Sequence, residues 1–245
     1  MIKRILILFA IAQLSMMGYS QTPKWAEKAK KAVFSVVTYD ANDKILNTGN
    51  GFFISEKGVA ISDYALFKNA QRAVIITSEG EKMPVKAILG ANDMYDVVKF
   101  SVDITSKKVA NLTLSETPMT EGTKLWLLPY STQKVRSLTS GNVNSVDKIS
   151  DYAYYTINLP LKEKMVSCPL MNDEGLVVAL AQKASGQDTA TICYGVDARF
   201  ANSQEITAIS YNDYALKQIG IKKALPETED QALIFLYMVS SQVDA

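Results

Sequence analysis

The chain has 245 residues, with 26 basic and 25 acidic side chains for a net charge of +1; near-neutrality without a block of like charge excludes a nucleic-acid arm or an acidic tail. It contains no histidine, which excludes every catalytic dyad, triad or metal site that needs an imidazole. Two cysteines, Cys168 and Cys193, are too few for a four-thiolate zinc site, and neither a metal nor a cofactor is expected.

Lys3 and Arg4 precede an uncharged apolar run over residues 5–17, and Gly18 and Ser20 place small side chains three before and one before a cut after Ser20. A charged start, an apolar middle and a small-residue end make residues 1–20 a secretory signal. The run falls short of the ~20 residues that a helical span needs. The mature chain is therefore expected to be exported, periplasmic or extracellular, with no membrane span. An oxidising destination admits a Cys168–Cys193 bridge closing a loop of about 25 residues; two separately buried thiols are the other arrangement.

After the signal, Thr22-Pro23 opens a short helix over 25–31, with proline near its first turn. Short β-branched and aromatic runs follow at 34–39, 51–54, 59–62, 73–77, 85–89 and 97–102 and read as strands. The Ser-, Thr-, Lys- and Glu-rich stretch 106–122 reads as a linker. Leu112 and the runs 124–128, 135–143, 152–157, 168–171, 176–181 and 192–196 supply a second group. Ser55-Glu56-Lys57-Gly58 and Asn172-Asp173-Glu174-Gly175 are hairpin turns with glycine last. Regular short strands without long helical periods predict an all-β sandwich or barrel, and two sets of six suggest two six-stranded antiparallel barrels. The first barrel and the N-terminal helix fall in 21–108, the second barrel in 109–205. Residues 206–245 read as a helical extension, in which Pro226-Glu227 opens a helix and Ala232, Leu233, Leu236 and Val239 form an apolar stripe suited to a helical partner.

Several short motifs recur along this plan. Gly49-Asn50-Gly51 leads through a strand, a turn ending at Gly58 and a second strand to Ser62-Asp63-Tyr64-Ala65-Leu66-Phe67. Then come Gly90-Ala91-Asn92-Asp93-Met94-Tyr95-Asp96-Val97-Val98, Gly122-Thr123-Lys124-Leu125-Trp126, Thr139-Ser140-Gly141-Asn142-Val143 and Lys164-Met165-Val166-Ser167-Cys168-Pro169-Leu170. In order and spacing the series resembles the trypsin-like serine protease fold, and in particular the bacterial high-temperature-requirement (Deg-type) proteases. On that resemblance Ser62 to Phe67 stand where the family has Thr-Asn-x-His-Val-Val. Asp96 stands at its catalytic aspartate, and 164–170 at its nucleophile stretch, Gly-Asn-Ser-Gly-Gly-Pro-Leu.

The departures fall on the groups that carry acyl transfer. The resemblance puts Ala65 at the histidine position and Val166 at the serine position; Asp96 is retained but has no imidazole to orient. Losing a nucleophile or a base alone costs on the order of a million-fold in turnover in a well-studied triad enzyme. Lys164 replaces the glycine whose conformation helps two amide N–H groups converge on an oxyanion, so that loop is expected to be reshaped. No catalytic residue is expected, and the resemblance implies a pseudoprotease.

Three readings stay open. As a binding module, the domain would hold an extended peptide or protein in the cleft between its barrels, against Leu180, Ala181 and Gln182, with Tyr64, Phe67, Tyr130 and Tyr194 as aromatic lining. As a serine-type endopeptidase, it would have rebuilt a site from Ser167 with Lys164 or Lys162 as base; the period-two alternation of an extended segment turns Ser167 away from the cleft. As a spacer, it would have no ligand at all. Longer proteins that resemble this one join a degenerate trypsin-like domain to tetratricopeptide-type helical repeats, which implies that the residues after 222 are such a junction.

Overall fold

The computed structural model describes residues 22–104, 108–136, 138–149, 151–183, 192–202 and 208–224. The expected signal and the stripe from Ala232 to Val239 lie outside the described residues. A short helix, α1 (Ala26–Ala29), continues into a 3-10 turn at Lys30–Ala32. The indole N–H of Trp25 donates to the Asp173 carbonyl at 3.1 Å, and Lys30 Nζ donates to the Gln133 carbonyl at 2.7 Å. Both acceptors belong to the second half of the chain, so the N-terminal segment ties the two halves together.

The first barrel is β1 (Val33–Tyr39), β2 (Ile45–Phe53), β3 (Val59–Ser62), β4 (Arg72–Ile76), β5 (Lys82–Asn92) and β6 (Val97–Val102). Neighbours run in the order β5-β4-β1-β2-β3-β6, all antiparallel, and β5 pairs with β6 to close the ring. The second barrel is β7 (Lys124–Leu127), β8 (Thr139–Ile149), β9 (Tyr152–Asn158), β10 (Pro169–Met171), β11 (Val177–Gln182) and β12 (Ile192–Asp197), closed in the order β10-β11-β12-β9-β8-β7. The expected pair of six-stranded barrels is the observed fold.

Strand alternation explains how each barrel fills itself and still meets its neighbour. On β1, Phe34 and Val36 point into the first barrel with Phe53, Phe67 and Phe100. Val33 points the other way, into a cluster with Phe52, Ile61, Trp126, Leu128, Leu180 and Val196 that joins the barrels. Leu125, Leu127, Tyr155 and Ile157 fill the second barrel. The seam is thus an apolar core of its own.

The differences from expectation lie where polar residues occupy strands. β2 begins at Ile45, before the run at 51–54, because Asn47, Thr48 and Asn50 pair across to β1 whatever their side chains. β8 begins at Thr139, not 135, and runs on to Ile149 through Asn144, Ser145 and Asp147. Leu112 belongs to no strand; its N–H donates to the Phe53 carbonyl, and Leu114 makes a single bridge to Val177. The C-terminal helix within the described residues, α2 (Tyr211–Ala224), starts well before Pro226. The Ser210 hydroxyl accepts from the Asp213 N–H at 3.2 Å and donates to its carboxylate at 2.6 Å, capping the first turn. Just before it, β13 (Ile209–Ser210) pairs with β5, and Tyr214 hydroxyl donates to the Phe67 carbonyl at 3.0 Å. Among the described residues no helix is long and apolar enough to cross a membrane.

Candidate functional site between the barrels

The positions singled out by the resemblance gather at the seam. Ser62 ends β3, and the chain turns through Asp63 into a 3-10 turn at Tyr64–Phe67 that carries Ala65. Asp96 precedes β6 in the left-handed region, at φ 51. Its Oδ1 accepts from the Ala65 N–H at 2.6 Å and its carbonyl accepts from the Tyr64 N–H at 3.3 Å. Asp96 therefore holds the backbone of the loop that carries Ala65. Burial pushes its carboxyl above the usual carboxylate range, against the Ala65 N–H and the Lys68 charge.

From the second barrel come Val166 and its neighbours. Lys164 occupies a 3-10 turn, Glu163–Met165, and is not among the residues with positive φ. The left-handed conformation in this loop falls on Ser167, at φ 66. Asn50 of β2 fixes this turn from across the seam: its Nδ2 donates to the Lys164 carbonyl at 3.0 Å and the Val166 carbonyl at 2.7 Å.

Ser167 is 1% exposed. Its N–H donates to the Ala181 carbonyl at 2.9 Å, and its hydroxyl donates to Asp63 Oδ2 at 2.6 Å. The Lys164 side chain instead lines a separate cavity of about 400 Å³ with Ser35, Thr48, Asn50 and Tyr130. Asp63 is 4% exposed, and burial, with the nearby Asp96 charge, pushes its carboxyl up to about 8. It is protonated at neutral pH, and its Oδ1 has no hydrogen-bond partner.

A pocket of about 470 Å³ opens here, lined by Asp63, Asp96, Tyr154, Val166, Gln182, Lys183 and Tyr194. Tyr154 of β9 and Tyr194 of β12 form one wall, their rings 5.7 Å apart. Gln182 Nε2 donates to the carbonyls of Tyr95 at 2.9 Å and Asp96 at 3.2 Å, which fixes the end of β11 against the first barrel. Of the expected groove residues, Gln182 and Tyr194 line this pocket. Leu180 and Ala181 are fully buried, and β11 has neighbours on both sides, so their backbone offers no free edge. Tyr64 packs against the first barrel's core, Phe67 lies within it, and Tyr130 lines the other cavity.

Asp63, Tyr154 and Lys183 are the lining residues that sequence reasoning missed. The signal for Asp63 was present: it stands where the Thr-Asn-x-His motif has asparagine. Cys168 and Cys193 are free, both fully buried, and burial pushes each thiol up to about 12. The bridge that export would admit is not formed. Among the described residues no group of His, Cys, Asp and Glu side chains is arranged to hold a metal ion.

The arrangement leaves an open pocket at the seam. Val166 gives the pocket a hydrocarbon wall, Ala65 sits on the loop that Asp96 holds, and the Ser167 hydroxyl is bonded to a buried carboxyl. No curated protein matches the chain. Residues 49–180 match the family described as trypsin-like peptidase domain; that match spans more than half of the sequence, and the chain belongs to this family.

Proposed function

We propose that this is an exported, catalytically inactive trypsin-like domain that binds peptide or protein in the pocket between its barrels. Within the family its degenerate triad sets it beside the high-temperature-requirement proteases as a pseudoprotease. The observation that supports this reading most is the open pocket around Val166, on which two tyrosines, two carboxyls, an amide and a lysine converge. A filled seam would have favoured a spacer.

The test has two arms. The purified protein should take no label from a serine-directed fluorophosphonate, and should bind members of an extended-peptide array with loss of binding on Tyr194→Ala. Hydrolysis that disappears with Ser167→Ala would overturn the reading in favour of a rebuilt endopeptidase. The burial of Ser167 and the distant placement of the Lys164 side chain argue against that outcome. Export rests on residues 1–20, and sequencing the amino terminus of protein recovered from outside the cytoplasm should begin at Gln21. The apolar stripe near Leu233 is offered as a second contact, for a helical partner.

A further inference from the structure

The pocket's electrostatics narrow what it accepts. Lys183 contributes a positive group and Asp96 a negative one, and Tyr154 and Tyr194 supply flat aromatic faces. A cationic ligand would meet Lys183, and an anionic one would meet Asp96. A neutral dipole suits both. Beneath them Asp63 has one carboxyl oxygen fixed by Ser167, while the other makes no hydrogen bond of good geometry although the Gln182 amide lies beside the carboxyl. A buried polar atom left unpaired is uncommon in a folded protein and calls for a partner.

We propose that the pocket takes an uncharged amide of a partner peptide, seated against the wall formed by Tyr154 and Tyr194, whose carbonyl accepts a hydrogen bond from the Asp63 carboxyl. This rests on the peptide-binding reading above and names the group recognised. In the hydrogen-bond inventory, a protonated carboxyl is a donor at one oxygen and still an acceptor at the other. Ser167 donates to Oδ2, which leaves Oδ1 to carry the proton and to donate. The terminal torsion of a carboxyl is soft, so a small tilt brings Oδ1 to a ligand without releasing Ser167. The titratable groups that act on Asp63 are Asp96 and the Cys168 thiol, with Gln182 and Ser167 as its polar neighbours, and Lys183 lines the same pocket. Burial keeps Asp63 neutral until about pH 8.

The probe is a tetra-alanine peptide blocked as N-acetyl and C-amide, titrated into the full chain by NMR at about pH 6.5, where Asp63 holds its proton, and about pH 9.5, where it has lost it. Binding should weaken about tenfold or more at the higher pH, because ionised Asp63 no longer donates. Asp63→Asn keeps a neutral donor and should bind at both pH values alike. Tyrosines and lysines still titrate in that variant, so its flat profile would assign the wild-type change to Asp63. Asp63→Leu should lose binding at both. Pocket resonances that move with N-acetyl-lysine-amide, more at the higher pH and not with the alanine probe, would overturn this inference while leaving a peptide site. Equal alanine-probe affinity at both pH values in the wild type would overturn it too. No response to either probe would overturn it together with the peptide-binding reading.

Discussion

Ser167 gives its hydroxyl to Asp63 Oδ2 at 2.6 Å while its own backbone sits at φ 66, one residue past Val166. The bond joins the two barrels, since Asp63 follows β3 and Ser167 precedes β10. A left-handed backbone carries a steric penalty of roughly 1–2 kcal/mol outside glycine, and a buried carboxyl left without its partner costs roughly 1–3 kcal/mol.

Two substitutions separate those terms. Ser167→Ala removes the bond and keeps the strain; Ser167→Gly removes both. Alanine should therefore be the more destabilising by about 1 kcal/mol, read from urea midpoints. Equal midpoints would show that φ 66 carries no strain. Neither variant should alter fluorophosphonate labelling, which is expected to be nil throughout.

Asp63 makes stability depend on pH. Its folded-state carboxyl titrates near 8, far above the usual 3.8, chiefly because burial disfavours the charge. The folded protein thus binds a proton that the unfolded chain releases. Its contribution is fully present below about pH 4 and declines as pH rises until it is lost beyond about 8. Urea midpoints should fall between pH 5 and pH 9 in the wild type, by up to several kcal/mol in free energy. Asp63→Asn should flatten that slope. A wild-type midpoint that rises over this interval would contradict the burial of this carboxyl.

The barrels were legible from sequence because alternation and turn glycines are local signals. Gly58 and Gly175, at φ 83 and φ 81, close the two turns that reading anticipated. The seam was less so. Val33 and Phe34 look alike in sequence, yet one joins the barrels and the other fills the first. Leu180 and Ala181 were placed on an edge by resemblance, but β10 and β12 cover both sides of β11. Asp63 was passed over because a lone aspartate before a turn usually caps it; here the turn has no side-chain cap, and the carboxyl faces across to another barrel. Local pattern carries no information about such a partner 104 residues away. The helix at Tyr211 had a legible start, Ser210 with Asp213 three residues on, which the absence of a strong apolar stripe obscured.

Both thiols should be inert in the folded protein. Cys168 and Cys193 are fully buried and hold their protons to about 12, and the thiolate is the reactive form. A disulfide-based thiol reagent at pH 8 should find no reactive group in the native state and two after denaturation. Protein from an oxidising compartment that yields none even when denatured would establish a bridge instead.

Asn50 concentrates the coupling between the barrels in one amide. It is 5% exposed; its Nδ2 serves the Lys164 and Val166 carbonyls, and its own carbonyl accepts from the Ser62 hydroxyl at 2.6 Å. Asn50→Ala leaves two carbonyls without this donor and should lower stability by on the order of 1–3 kcal/mol. Asn50→Asp is the sharper probe, because an ionised carboxylate has no proton to give and would press negative charge against two carbonyl oxygens. Its deficit relative to wild type should be largest at pH 7 and shrink toward pH 4, where a protonated carboxyl donates once more. Urea midpoints at the two pH values decide it. If the aspartate variant matches the wild type at pH 7, Asn50 does not fix the turn that carries Val166, and the shape of the pocket must be set by Ser167 and Gln182 alone.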